Sequence, residues 1–181
     1  ETTAYLGFKA SEMALQNAGI KAEELDYIIF ATLSPDYYFP GCGVLLQEML
    51  GCRTIGALDV RNQCSGFVYA MSVAHAFIKS GIYKNILVVG AEIHSFGLDF
   101  SDEGRGVSVI FGDGAGAVVL SATEGDEDGD ILSINMHSWQ IIKIISANHI
   151  SANNDSFRRL NSLGMQVKAY NSQPYQSCPS L

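Results

Sequence analysis

The strongest constraint in this chain is an alternation. Short, wholly apolar runs exchange with stretches in which apolar residues recur every three or four positions. Residues 5–18 place Leu6, Phe8, Met13, Ala14 and Leu15 at approximately helical spacing, and Gly19 follows as a stop. The run from Asp26 to Thr32 is rich in β-branched and aromatic residues, as a strand buried on both faces requires, and Ser34-Pro35-Asp36 breaks it. Gly43 to Leu50 reads as a helix closed by Gly51, and Thr54 to Val60 as a strand. In 64–80, Phe67, Met71, Ala74 and Ile78 recur at helical spacing before Gly81, and Ile86 to Gly90 is the next strand. Buried strands joined by helices are parallel crossovers, since an antiparallel return needs no helix, so the expected class is α/β.

The pattern then changes. After a polar loop at 95–106, Val107 to Phe111 and Ala117 to Leu120 flank Gly112-Asp113-Gly114, which predicts a tight strand-turn-strand. The glycines invite comparison with a dinucleotide loop. Such a loop leads from a strand into a helix, whereas Ala117 to Leu120 reads as strand, so that reading is rejected. The acidic stretch Glu124 to Asp130 reads as a solvated loop, and Ile131 to Met136 as one more strand. Beyond Ser138 the acidic residues nearly vanish: only Asp155 remains, against Lys143, Arg158, Arg159 and Lys168. Two regions are therefore expected, 1–138 as an α/β unit and 139–181 as a divergent tail of unassigned fold.

Composition excludes several classes of function. A formal net charge of −8 disfavours nucleic acid as a partner, because that affinity comes chiefly from clustered Lys and Arg. No apolar run approaches the roughly 18 residues of a membrane span, and no basic leader precedes an apolar segment at Glu1. Because Glu1 is not an initiator methionine and a helix begins almost at once, an upstream segment is expected to be missing. Cys42, Cys52, Cys64 and Cys178 match neither a secreted disulfide framework nor paired zinc-ligand spacing, so a reducing, cytoplasmic setting is expected. None of His75, His94, His137 and His149 forms a helical i, i+4 metal pair, and no metal is expected.

Among the cysteines, Cys64 has the distinctive place. It follows a strand and the link Arg61-Asn62-Gln63, and it opens a helix whose next residues, Ser65 and Gly66, are small. Unpaired amides and the helix dipole favour negative charge there, so a thiolate is stabilised and can act as a nucleophile. Small neighbours admit a substrate carbonyl, and the Cys64 amide can donate to an oxyanion. The competing reading is an inert buried thiol, which is kept for Cys42, Cys52 and Cys178.

The segment Asn62-Gln63-Cys64-Ser65-Gly66-Phe67, with Tyr69-Ala70, resembles the active-cysteine region of the β-ketoacyl-[acyl carrier protein] synthase III family, of the thiolase superfamily. The resemblance extends through Ala31-Thr32, Phe39-Pro40, Leu50-Gly51, Asp59-Val60, Lys79-Ser80-Gly81, Leu87 to Gly90 and Ile110 to Ala117, in the family's order and approximate spacing. It covers roughly residues 1–138.

This resemblance implies a thiolase-like fold: the amino-terminal half of a layered αβαβα architecture, with a mixed sheet that is incomplete for want of its first strand. It implies an acyltransferase of fatty-acid initiation. Acyl-CoA loads Cys64 as a thioester, and decarboxylation of malonyl-[acyl carrier protein] supplies the carbanion that attacks it. Acyl-CoA is a substrate, and no cofactor is expected. Arg105 matches an arginine that contacts coenzyme A near its adenine; the alternative is a surface arginine paired with Asp102 or Glu103. Phe39 matches an aromatic that crosses a homodimer interface to bound the partner's acyl pocket; the alternative is core packing. Carrier-protein docking needs a basic patch, for which Lys79, Lys84 and Arg105 are candidates.

The departures from the family's pattern matter as much. The histidine and asparagine that assist decarboxylation, and a further oxyanion donor, belong to the family's carboxy-terminal half. His149, Asn153 and Asn154 lie in unrelated surroundings and are not assigned to those roles. The chain is therefore expected to be a fragment, inactive in condensation by itself, working with a complementary second-half chain or as a homodimer. The alternatives are a non-catalytic thiolase-like partner or dimerisation module, a related polyketide or alkylquinolone-type synthase or thiolase, and a flavodoxin-like binding domain with an incidental cysteine.

Overall fold

The computed structural model describes residues 1–124, 131 and 134–136. Among the described residues four α-helices and four strands alternate in chain order: α1 (Thr3–Ala18), β1 (Tyr27–Ala31), α2 (Cys42–Leu50), β2 (Gly56–Val60), α3 (Gly66–Lys79), β3 (Asn85–Glu92), α4 (Arg105–Ser108) and β4 (Gly114–Ser121). The sheet order is β2-β1-β3-β4. Strand β1 is central and parallel to both β2 and β3, and β4 is antiparallel to β3, pairing Glu92 with Gly114 and Asn85 with Ser121. The sheet is thus mixed, as expected. These residues belong to one unit spanning Glu1–Met136.

The burial of β1 explains its composition. Ile28 and Phe30 face one side, with Ala4, Leu15, Cys42 and Leu46 of α1 and α2; Ile29 and Ala31 face the other, with Ala70 and Ala74 of α3. Side chains alternate across a strand, so a strand covered on both faces must be apolar at every position. Each large aliphatic or aromatic side chain fully buried in this way contributes about 1.5–3 kcal/mol. Gly19 and Gly51 end α1 and α2 with φ of 65° and 66°, a left-handed conformation that glycine takes without a side-chain clash.

Helix α1 buries a face different from the one its large apolar residues suggest. Met13 is 66% exposed, whereas Thr3, Ala4, Gly7, Ser11 and Leu15 are buried. Small residues win because the helix lies close against the sheet: a Cβ at Gly7 would stand 2.6 Å from the Phe30 ring. Helix α3 keeps its expected face, with Ala70 and Ala74 buried and Phe67, Met71 and Ile78 packed around them.

The strand expected at Val107 to Phe111 is not formed. Residues 105–108 are helical, with the Val107 and Ser108 amides donating to the Gly104 carbonyl and the Ser108 hydroxyl donating to the Asp99 and Gly104 carbonyls. The free edge of β3 is taken by β4, so this apolar run has no strand to pair with. Strand propensity expresses packing on a pleated surface, and Val109 and Ile110 stay exposed. Gly112-Asp113-Gly114 therefore leads from a helical turn into β4 and does not close a hairpin. Ile131 and residues 134–136 are not strand, and 132–133 lie outside the described residues. Glu124 is exposed; the rest of the acidic stretch and the segment 137–181 also lie outside them.

Candidate active site

Parallel strands that end together leave a crevice beyond their carboxyl ends, with the following loops as its walls. Here β1 ends in Ala31-Thr32, β3 in Gly90-Ala91-Glu92, and antiparallel β4 brings Gly114-Ala115-Gly116 to the same end. These residues, with Asn62, Gln63, Cys64, Gly66 and Phe67 from the β2–α3 connection, line an open cleft of about 260 Å³. Small side chains create the space. A Cβ at Gly90 would stand 3.1 Å from the Phe67 ring, so glycine lets that ring lie against the strand.

Cys64 occupies the turn of residues 63–65, with Ser65 as the N-cap of α3. It stands one residue ahead of that cap and does not open the helix itself, a shift within the usual spread of helix boundaries. The Gly66 amide closes the turn onto the Gln63 carbonyl at 2.8 Å, and the Tyr69 amide begins the helical ladder onto the Ser65 carbonyl at 3.1 Å. Among the described residues the Ser65 side chain makes no capping bond, and Gly66 and Phe67 at the start of α3 line the cleft. Cys64 is exposed, Cys52 half-buried and Cys42 buried. Burial pushes the Cys42 thiol up to about 11, and burial also raises Cys52. Both thiols thereby fit the inert reading; Cys178 lies outside the described residues.

The other expected site residues scatter. Arg105 is exposed in α4, and among the described residues its guanidinium makes no ion pair; Asp102 offers the Arg105 amide only its backbone carbonyl, at 3.4 Å. Phe39 is 90% exposed, which removes the core-packing alternative. Its neighbour Tyr38 stacks under the Arg61 guanidinium at 4.6 Å. Lys79 and Lys84 bracket the turn between the end of α3 and the start of β3, while Cys64 is at the start of α3. Fourteen helical residues separate the two ends, about 20 Å along the axis. Those two lysines therefore share no patch with the cleft mouth. His75 lies within α3 and His94 at the end of β3, and among the described residues no three His, Cys, Asp or Glu side chains converge as a metal site.

Two carboxylates that hold the cleft walls were not singled out for that work from sequence. Glu92, at the end of β3, accepts the Leu33 amide at 2.8 Å through Oε1, and the Ser34 amide at 3.1 Å and Ser34 hydroxyl at 2.5 Å through Oε2. The Thr32 hydroxyl donates to Oε2 at 3.3 Å, and His94 Nε2 lies 3.6 Å from it. Asp113 accepts the His94 and Ser95 amides and the Ser95 hydroxyl. The Ser95 side chain, then its amide, holds the Asp113 carboxyl below the ordinary carboxylate value. The available signal was position: a charged residue ending a buried parallel strand stands where such folds open to ligands.

A mixed sheet whose inner strands β1 and β3 are buried, with an exposed cysteine beside their carboxyl ends, fits the thiolase-like class of α/β proteins. Comparison with known proteins narrows the class. Residues 58–139 match the family model for 3-oxoacyl-[acyl-carrier-protein (ACP)] synthase III. The β-ketoacyl-[acyl-carrier-protein] synthase III of Ehrlichia canis (strain Jake) is 50% identical over 138 residues, 76% of this chain and 42% of that protein. That of Sulfurovum sp. (strain NBC37-1) is 44% identical over 132 residues, 72% of this chain and 38% of that protein. The crystal structure of 3-oxoacyl-[acyl-carrier-protein] synthase III from Aquifex aeolicus VF5 superposes with a TM-score of 0.66 at 46% identity, covering 69% of this chain and 40% of that one. The priming β-ketosynthase of the R1128 polyketide pathway does so at 0.64 and 34%, covering 68% of this chain and 36% of that one. Over most of its length the chain is thus similar to the amino-terminal part of β-ketoacyl-[acyl carrier protein] synthase III proteins, and it spans about two fifths of the length of the curated relatives it matches.

Proposed function

We propose that residues 1–138 supply the acyl-accepting half of a condensing acyltransferase of fatty-acid initiation, with Cys64 as the nucleophile. The observation that carries this reading is the placement of Cys64: exposed, in a tight turn, on a cleft walled by glycine and alanine at the strand ends. The Cys64 sulfur attacks the carbonyl carbon of an acyl-CoA, a new carbon–sulfur bond forms, and coenzyme A leaves as the thiol. Malonyl-[acyl carrier protein] then loses carbon dioxide, and its carbanion displaces Cys64 from the acyl group, forming a carbon–carbon bond. Groups that promote this second step come from a carboxy-terminal half, so the chain condenses only with that half in place. Arg105 holds the coenzyme A end of the donor, and Phe39 packs against a second copy or a complementary chain.

Among the described residues no helix is long and apolar enough to cross a membrane. A cytoplasmic location, where acyl-CoA is supplied, accompanies this proposal.

The test is incubation with radiolabelled acetyl-CoA, followed by gel analysis under conditions that preserve thioesters. Label that appears in the wild-type chain and is absent from Cys64→Ala supports the assignment. An unlabelled wild type, or label that survives Cys64→Ala, removes it.

A further inference from the structure

We propose that Glu92 is a positioning residue for acyl acceptance at Cys64: its carboxylate holds segment 32–34, whose Thr32 walls the cleft, against the end of β3, so that an acyl thioester meets the sulfur in one geometry. The proposal deepens the reading of Cys64 as the acyl acceptor and rests on it. Glu92, Thr32 and Cys64 line the same cleft, from the end of β3, the residue after β1 and the β2–α3 connection. Chain segment 32–34 has left the sheet and keeps no strand ladder; the Thr32 amide makes the last such bond, to the Val60 carbonyl at 3.2 Å. The next two amides both turn to the Glu92 carboxylate, one on each oxygen, with the Ser34 and Thr32 hydroxyls as further donors.

The knot extends in both directions. The Ser34 hydroxyl oxygen accepts the Ile93 amide at 2.9 Å, closing a ring between Glu92's own strand and the wall it holds. The Ser34 carbonyl accepts the Thr3 hydroxyl at 2.5 Å, and Asp36, two residues on, accepts the Thr3 and Ala4 amides at the start of α1. Hydrogen bonds to a charged acceptor are stronger than neutral ones, and a carboxylate offers four acceptor directions. Glutamine is isosteric, yet one of its two positions is a donor. With a backbone amide facing each Glu92 oxygen, Glu92→Gln must set its amide nitrogen against the Leu33 amide at the Oε1 place or against the Ser34 amide at the Oε2 place. The wall is then released without a change in volume or in Cys64 itself.

The experiment compares wild type, Glu92→Gln and Ser34→Ala in four readouts: limiting rate of Cys64 acetylation by acetyl-CoA, half-saturating acetyl-CoA concentration, rate of Cys64 alkylation by iodoacetamide, and thermal midpoint. Misplacing a reacting group by about 1 Å costs up to about a hundredfold, so Glu92→Gln is expected to lower the limiting acetylation rate by roughly tenfold to a hundredfold. Half-saturation and alkylation should stay within about twofold, because donor binding and sulfur access are untouched, and Ser34→Ala should show a smaller loss of the same kind. Wild-type acetylation in both variants overturns the proposal and leaves the thioester assignment standing. A parallel fall in acetylation, alkylation and thermal midpoint shows a purely structural role and also overturns it. If Glu92→Gln does not fold, Ser34→Ala decides by the same criteria. A wild type that accepts no acetyl group removes the acyl-acceptor reading first, and this proposal with it.

Discussion

Helices α2 and α3 each follow a strand, after connections of ten and five residues, and each has a cysteine at its start, yet the two starts are built for opposite ends. Cys42 is the first residue of α2, and the Asp59 carboxylate accepts its amide and that of Gly43, both at 2.7 Å. The start of α2 is thereby filled by the protein's own anion, its thiol is buried, and burial lifts the thiol to about 11. At α3, among the described residues, the Ser65 side chain makes no capping bond, Cys64 is exposed two residues ahead of the first helical residue, and Cys64, Gly66 and Phe67 line the open cleft. A cysteine near a helix start is thus no signature of chemistry on its own. What decides is whether the fold has already supplied the negative group that the free amides favour.

The comparison can be broken most forcefully by exchanging the cysteines. Cys64→Ala is expected to abolish acetyl transfer from acetyl-CoA, while Cys42→Ala leaves transfer intact and costs only stability, read by urea unfolding. Acetylation that depends on Cys42 contradicts the contrast between the two starts.

Alkylation sharpens it next. At pH 8 a thiol with its pKa near 11 is ionised to about one part in a thousand, so Cys42 should react with iodoacetamide at least about a hundredfold more slowly than Cys64 in the folded chain. Peptide mapping after timed quenching measures both sites, and urea should erase the difference.

Glycine substitutions probe the backbone of the same two starts. A Cβ at Gly43 would stand 2.8 Å from Asp59 Oδ1, whereas at Gly66 the nearest atom is Ala31 Cβ at 3.6 Å. Gly43→Ala should destabilise by about 1–2 kcal/mol as the capping carboxylate is displaced, while Gly66→Ala should lie within about 0.5 kcal/mol of wild type. Equal midpoints in urea would remove the distinction between a filled and an open helix start.

The smallest effect concerns a carboxylate remote from both cysteines, a control on whether the contrast is local. The Asn85 amide, followed by the Lys84 amide and the Arg53 guanidinium, holds Asp26 below the ordinary carboxylate value of 3.8. A depressed folded value means the contribution to stability is fully present above the unfolded value and is lost as pH falls through the lower folded one. Asp26→Asn should therefore flatten the acid side of a stability–pH curve below about pH 4 and leave the relative alkylation of Cys42 and Cys64 unchanged.

Much of the fold was legible because the two inner strands of the sheet are covered on both faces. β1 and β3 must be apolar on both faces, and Gly19 and Gly51 mark helix ends that need positive φ, so these elements announce themselves locally. Val107 to Phe111 misled because its composition suits a strand, while the only free edge of β3 was taken by β4 from further along the chain. The face of α1 was misjudged for a related reason: close approach to Phe30 selects Gly7 and Ser11 over Met13, and that distance is set by the packed fold. In the site, Cys64 could be found from its motif and its place between strand and helix. Asp59 as the stopper of α2, and Glu92 as the knot behind Thr32–Ser34, could not, because each acts on residues far away in sequence.

The most direct test of the account is to digest the chain after exposure to acetyl-CoA and weigh the peptides that carry Cys42 and Cys64. The account predicts one acetyl group on the Cys64 peptide, removable by hydroxylamine, and none on the Cys42 peptide. Acetyl found on Cys42, or on neither cysteine in a folded chain, would contradict it.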